Sequence, residues 1–230
     1  MRGSLLVLKL LLVAGVPALA TPWWEAYEGD VFPEDQGWTR VHGSIPAQRW
    51  IDNGVLFIDS RASPLIYDYY EMVFDHPVDP GLGETFVMRW RLKVDATTYY
   101  DQEIGVTSDA AGPDEFYSAA FGFRADAIVS VFEHTSAPFA PGVFHDFELR
   151  SSNMRTYELY IDQTPAMDGL FTEVFGPPRV AWGDAGYGSS SLAEWDYVRF
   201  GVTPEPGALL TVLAGGLLYA RRTRDRPGGR

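Results

Sequence analysis

The sequence predicts an all-β fold, an antiparallel β-sandwich flanked by two apolar terminal segments. Three observations predict it. Apolar residues recur with period two: Phe86, Met88, Trp90, Leu92 and Val94 alternate with Thr85, Val87, Arg89, Arg91 and Lys93, and a pleated strand sends such a set to one face. Turn clusters such as Asp79-Pro80-Gly81, Ala111-Gly112-Pro113-Asp114 and Ser136 to Gly142 cut the chain at short intervals. Between those clusters almost nothing repeats with helical period, so strands follow strands and must pack as layers.

The first element, residues 1–20, reads as a secretory signal peptide. Met1, Arg2 and Lys9 form a short basic region, Leu5 to Val16 is almost wholly apolar, and Ala18-Leu19-Ala20 is a small-x-small site, so cleavage after Ala20 is expected to leave Thr21 at the amino terminus. Residues 21–202 form the domain. Strands are expected at Gly54 to Asp59, Tyr69 to Phe74, Phe86 to Val94, Gln102 to Thr107, Ser118 to Phe123, Ala127 to Glu133, Phe144 to Arg150, Tyr157 to Ile161 and Trp195 to Val202. Residues 203–230 form a tail: Pro204-Glu205-Pro206, the apolar run Gly207 to Ala220, then Arg221, Arg222 and Arg224. That run, read as a short hydrophobic helix, has 14 residues, against roughly 20 for a comfortable bilayer span. Its membrane insertion is expected to be transient, with the arginines on the cytoplasmic side.

Charge narrows the partners. The whole chain carries −13; with both termini set aside, 11 basic and 29 acidic side chains remain in residues 21–203, a net −18. Phosphate binding needs clustered Lys and Arg, so nucleic acid is excluded as a partner class, while cations and neutral sugars suit the surface. With no cysteine, no disulfide staples the domain, and its size does not require one.

Two resemblances extend this reading. The order Pro204-Glu205-Pro206, apolar run, arginine cluster resembles the PEP-CTERM sorting signal of Gram-negative bacteria. That implies recognition by an exosortase-type membrane protease in cells that make exopolysaccharide. Phe144-His145-Asp146-Phe147-Glu148-Leu149-Arg150 with Tyr157-Glu158-Leu159-Tyr160-Ile161-Asp162 is similar to the paired strands of laminin-G-like and concanavalin A-like jelly rolls. Gln163 stands where glycine is usual, which predicts an altered hairpin turn. Trp182-Gly183-Asp184 and Glu194 to Phe200 resemble the closing strands of that superfamily, and Tyr27 to Asp30 with Gly37 to Arg40 its opening segment.

No catalytic residue is assigned. Jelly-roll glucanases carry an E-x-D-x-x-E strand, and retaining hydrolysis needs two carboxyl groups about 5–5.5 Å apart; that motif is missing. Asp68 and Glu71 belong on opposite faces of a strand, Glu133-His134 lacks a second acid at i+2, and the pair Asp101 and Glu103 reads as a solvated edge or metal ligands. No G-x-S-x-G elbow occurs, and His42, His76, His134 and His145 lack zinc-like spacing. Calcium is the expected cofactor. Asp196 alternates with Val198 and Phe200, so the pattern turns its carboxylate inward, where pairing or coordination must compensate its burial. By resemblance Asp196 is the first ligand and Glu28 the second, with Asp30 and Asp184 weaker. Tyr67, Tyr69, Tyr70, Tyr99, Tyr100 and Tyr117 offer faces for sugar rings or simply pack the strands. Arg89, Arg91 and Lys93 form a stripe that cross-strand acids are expected to pair.

The function expected is that of an exported, non-catalytic protein of the cell envelope, outer surface or extracellular matrix, carbohydrate-binding or structural. Its expected partners are the sorting protease and polysaccharide. A divergent polysaccharide hydrolase or lyase and a calcium-dependent protein adhesion module are the alternatives.

Overall fold

Each face of this sandwich follows from the period-two pattern, and among the described residues sixteen strands and one 3-10 turn make up the regular structure. The computed structural model describes residues 23–62, 66–74, 78–96, 102–109, 115–185 and 191–204. In chain order the elements are β1 (Trp23–Glu28), a 3-10 helix (Pro33–Gln36), β2 (Thr39–His42), β3 (Gln48–Asp52), β4 (Val55–Asp59), β5 (Asp68–Val73), β6 (Glu84–Ala96) and β7 (Gln102–Ser108). There follow β8 (Phe116–Phe123), β9 (Ala127–Ser130), β10 (Ser136–Pro138), β11 (His145–Ser151), β12 (Thr156–Ile161), β13 (Thr164–Leu170), β14 (Thr172–Val174), β15 (Arg179–Asp184) and β16 (Ser191–Pro204). The first sheet runs β13-β12-β11-β6-β16-β4-β3, with β1 also on β16. The second runs β10-β9-β8-β7-β15-β5-β2, with β14 on β8. Every described pairing is antiparallel. The expected all-β antiparallel sandwich is the observed fold.

The two longest strands, β6 and β16, lie side by side at the centre of the first sheet. Phe86, Met88, Trp90, Leu92 and Val94 of β6 are all buried, each large side chain contributing about 1.5–3 kcal/mol. Trp90 stacks on Phe147 at 5.4 Å, and Trp182 of the second sheet lies 4.9 Å from each of Tyr27, Tyr70 and Trp195. The core is thus a slab of aromatic rings between two sheets. On the outer face of β6, Arg89 pairs with Glu148, Arg91 with Asp196 and Lys93 with Glu194, so the basic stripe is neutralised by neighbouring strands as expected.

Three expectations need correction. Asp196 does not point inward with Val198 and Phe200. A bulge between Trp195 and Tyr197 inserts one residue against β6, so Trp195 and Val198 both keep the inner face while Asp196 stays one-third exposed. The hairpin after β12 keeps its two-residue form without glycine: Asp162 and Gln163 both take left-handed φ values, 50° and 66°, as a type I′ turn requires. Asp162 compensates by accepting bonds from the Asp146 amide at 3.0 Å and pairing with His145 Nδ1 at 2.7 Å. The strand expected through Glu133 ends at Ser130, where the chain turns into β10. There the Glu133 carboxylate accepts from Tyr157 Oη and the Leu170 amide, tying the two sheets together at β13.

Candidate functional site

The outer face of the second sheet is built to leave room. Strand alternation puts Glu103, Gly105 and Thr107 of β7 on that face, Ser118, Ala120 and Gly122 of β8 beside them, and Arg179, Ala181 and Gly183 of β15 on the other side. The register aligns Ala181 with Gly105 and Gly105 with Ala120, and Gly183 with Glu103 and Glu103 with Gly122. The middle row therefore carries no side chain larger than a methyl group. Gly183 adopts φ 127°, and a Cβ there would sit 2.8 Å from the Cα of Tyr69, so this part of the floor cannot be raised without moving β5.

Walls stand on both sides of this floor. Tyr69 projects from β5, with Glu71 farther along the same face, while Phe132, Val174 and Phe175 rise beyond β8, and the groove between Tyr69 and these three holds 390 Å³. Tyr67 lies with its ring 6.5 Å from that of Tyr69, widening one aromatic rim. Arg179 Nη1 donates to Glu71 at 2.9 Å, with the arginine 39% exposed. Thr107 and Ser118 hydroxyls lie 3.3 Å apart along the floor. A flat floor with aromatic rims and a few fixed polar groups can stack a ring and orient its hydroxyls. Sequence reading missed this assembly, although its signal is present: small residues alternate in Gly105-x-Thr107, Ala120-x-Gly122 and Ala181-x-Gly183. Only the register shows that the three coincide.

The residues singled out from sequence distribute differently. Tyr69 reaches the groove; Tyr70 is buried, its hydroxyl 2.9 Å from Arg49, and burial pushes its pKa up to about 12. Tyr117 lies under the Arg155 guanidinium at 3.6 Å. Tyr99, Tyr100, Asp101 and His76 lie outside the described residues, as do Ala18, Ala20, Glu205, Pro206, Arg221 and Arg222. Pro204 ends β16, exposed and in register with Glu84. Asp68 and Glu71 occupy opposite faces as expected. His145 is 8% exposed, with Nδ1 on Asp162 and Nε2 2.8 Å from the Ala140 carbonyl, which is a structural role.

Glu28 and Asp196 both sit where β1 meets β16, but in different company. Glu28 accepts two bonds from Arg199, each at 2.7 Å, so its carboxylate is committed. Asp196 faces Arg91 at the looser distance of 3.6 Å. Beside it, the carbonyls of Gly54 and Asp196 converge on Gly29, where an added Cβ would lie 2.0 Å and 2.8 Å from the two oxygens. Buried Tyr27 ends nearby with a hydroxyl that finds no hydrogen-bond partner among the described residues. Its pKa is pushed up by burial and then by the charges of Tyr70, Asp30, Asp196 and Glu28. Among the described residues no three His, Cys, Asp or Glu side chains gather as metal ligands. The two carbonyls and the Asp196 carboxylate are hard oxygens, the donor type that calcium takes, while the Glu28 carboxylate is engaged by Arg199. Asp184 is buried on β15, in the other sheet.

No protein-family model matches the chain, and no curated protein matches it. Solved structures do. A carbohydrate esterase from the Shiga toxin-encoding bacteriophage phi24B superposes with a TM-score of 0.58 at 12% identity, covering 78% of this chain and 98% of that one. A prokaryotic beta-1,3-1,4-glucanase (lichenase) derived from a mouse hindgut metagenome gives 0.51 at 9% identity, covering 76% and 97%. At these identities the likeness shows the fold, a concanavalin A-like jelly roll.

Proposed function

We propose that this chain is an exported, non-catalytic carbohydrate-binding jelly roll whose groove on the second sheet holds a glycan. The observation that carries the proposal is the small-residue floor of Gly105, Ala120, Ala181 and Gly183 between the Tyr69 and Phe132 rims. The glycan-directed proteins that share the fold support it. A non-catalytic role is supported by β7, whose outward positions offer Glu103, Gly105 and Thr107, one carboxylate rather than two on the same strand. Glu71, beside the groove on β5, is held by Arg179. That Glu103 lines the groove and Glu71 lies beside it on the same face of the sheet favours the second reading, a hydrolase or lyase.

Glycan-array binding of the purified chain without release of reducing ends is the expected result. Ala181→Trp should remove binding and leave the melting temperature unchanged. Turnover that disappears in Glu103→Gln or Glu71→Gln would replace the binding function by the enzymatic one. The same proposal takes residues 1–20 as a removed leader and 203–230 as the sorting tail. It expects a structural calcium at Asp196 and the carbonyls beside it. Pro204→Ala with Glu205→Ala should leave the tail attached, and normal tail loss in that variant would reject the sorting motif.

A further inference from the structure

The described residues contain nine large apolar side chains with notable exposure, and their placement is uneven. The four most exposed are Leu82 at 108%, Phe175 at 102%, Leu170 at 59% and Val73 at 51%; the other five lie between 38% and 49%. All four sit at one end of the sandwich. Leu82 precedes β6 by two residues, Leu170 closes β13 opposite Thr156, and Val73 closes β5 opposite Arg179, four residues after Phe175. Links between the sheets place these together: the Ser108 hydroxyl that ends β7 donates to the Val78 carbonyl, in the segment leading to β6, at 2.8 Å, and Arg155, whose carbonyl accepts from the Phe171 amide beside Leu170 at 2.9 Å, reaches across to the second sheet. Arg155 in turn covers Tyr117 at the start of β8.

The chain leaves the sandwich at this same end, because Pro204 pairs with Glu84, two residues from Leu82. Only Glu205 and Pro206 separate it from the apolar run that begins at Gly207. Fully extended, that connection spans at most about 11 Å. We propose that this end of the sandwich is a membrane-docking face, with Leu82 and Phe175 entering the headgroup layer on either side of the tail. The inference rests on the reading of residues 207–220 as a membrane segment. A short apolar run that anchors weakly gains from apolar tips beside it, since one weak anchor binds only reversibly and stable attachment takes a second contact. The surface it fits is one of uncharged, zwitterionic headgroups. Asp79, Glu84, Glu115 and Glu173 lie at this end, while Arg155 and Arg179 are already engaged by Tyr117 and Glu71, so anionic lipid would repel it.

The chain has no cysteine, which makes single-site labelling clean. Leu82→Cys, Phe175→Cys and, at the opposite end, Val143→Cys are each labelled with an environment-sensitive fluorophore on the full chain, reconstituted with phosphatidylcholine vesicles. The first two labels should shift to the blue and be quenched by lipid-borne quencher, and the third should not; replacing half the lipid by phosphatidylglycerol should weaken the effect. Chain that floats with the vesicles while all three labels stay in water overturns the docking face alone. Chain that fails to float overturns the membrane segment and the docking face with it.

Discussion

Replacing Asp68 by alanine tests how the groove wall is held. Asp68 starts β5, is 1% exposed, and accepts from Arg40, whose Nε lies at 2.7 Å with Nη2 on the second oxygen, and from the Ala47 amide at 2.9 Å. It thereby fixes β5 to β2 and to the loop leading into β3, while its neighbour Tyr69 lines the groove. Asp68→Ala removes three charge-assisted bonds, two from Arg40 and one from the Ala47 amide, and leaves Arg40, 18% exposed, without its counter-charge. Breaking a buried pair in this way costs about 3–5 kcal/mol, which for a domain of this size lowers the melting temperature by roughly 10 °C. Asp68→Asn keeps the volume and one acceptor and should cost about half as much. Urea titrations of both variants and of Arg40→Ala, closed as a double-mutant cycle, measure the coupling, and glycan affinity should fall in step as Tyr69 loses its support. A loss below about 1 kcal/mol in Asp68→Ala would show that solvent replaces the pair and would refute the reasoning.

Other perturbations follow from the same geometry. Gly29→Ala should destabilise by about 1–3 kcal/mol or more in urea titration, because its methyl would meet two backbone carbonyls that cannot turn aside; a neutral result would mean β1 can shift from β16. Chelation should lower the melting temperature of the calcium-loaded chain, and Asp196→Ala should abolish that response. Glu28→Ala should retain the response, since Glu28 is held by Arg199; a melting curve indifferent to chelator dismisses the metal. Alkaline stability should fall as pH rises from 10.0 through about 12, the ordinary and the folded values for Tyr70. Burial favours the neutral phenol, so the folded state binds the proton more tightly, and its advantage is complete below the lower value and gone above the higher. Tyr27, Tyr157 and Tyr197 are pushed the same way, first by burial. Tyrosinate absorbance that appears well before unfolding would contradict this.

The resemblance of Glu194 to Phe200 to a closing strand led to the right element, and Val198 and Phe200 face inward as alternation predicts, but alternation gave Asp196 the wrong face. Alternation assigns faces only while pairing is regular, and one inserted residue at Asp196 reverses the assignment for everything on one side of it. Gln163 shows the opposite case. The local preference for glycine at a left-handed position is worth too little to override a hairpin whose strands and Asp162 bonds are already set.

What the sequence determined by itself is the layer architecture, the inward set of β6 and the pairing of its basic stripe, because each depends on neighbours within one strand or one register step. The groove and the apolar end are products of tertiary structure. Gly105, Ala120 and Ala181 are unremarkable apart, and Leu82 and Phe175 lie in loops separated by more than half the domain. Their meaning arises from which strands pair and at which register, and that is decided by the packing of two aromatic inner faces against each other rather than by any segment alone.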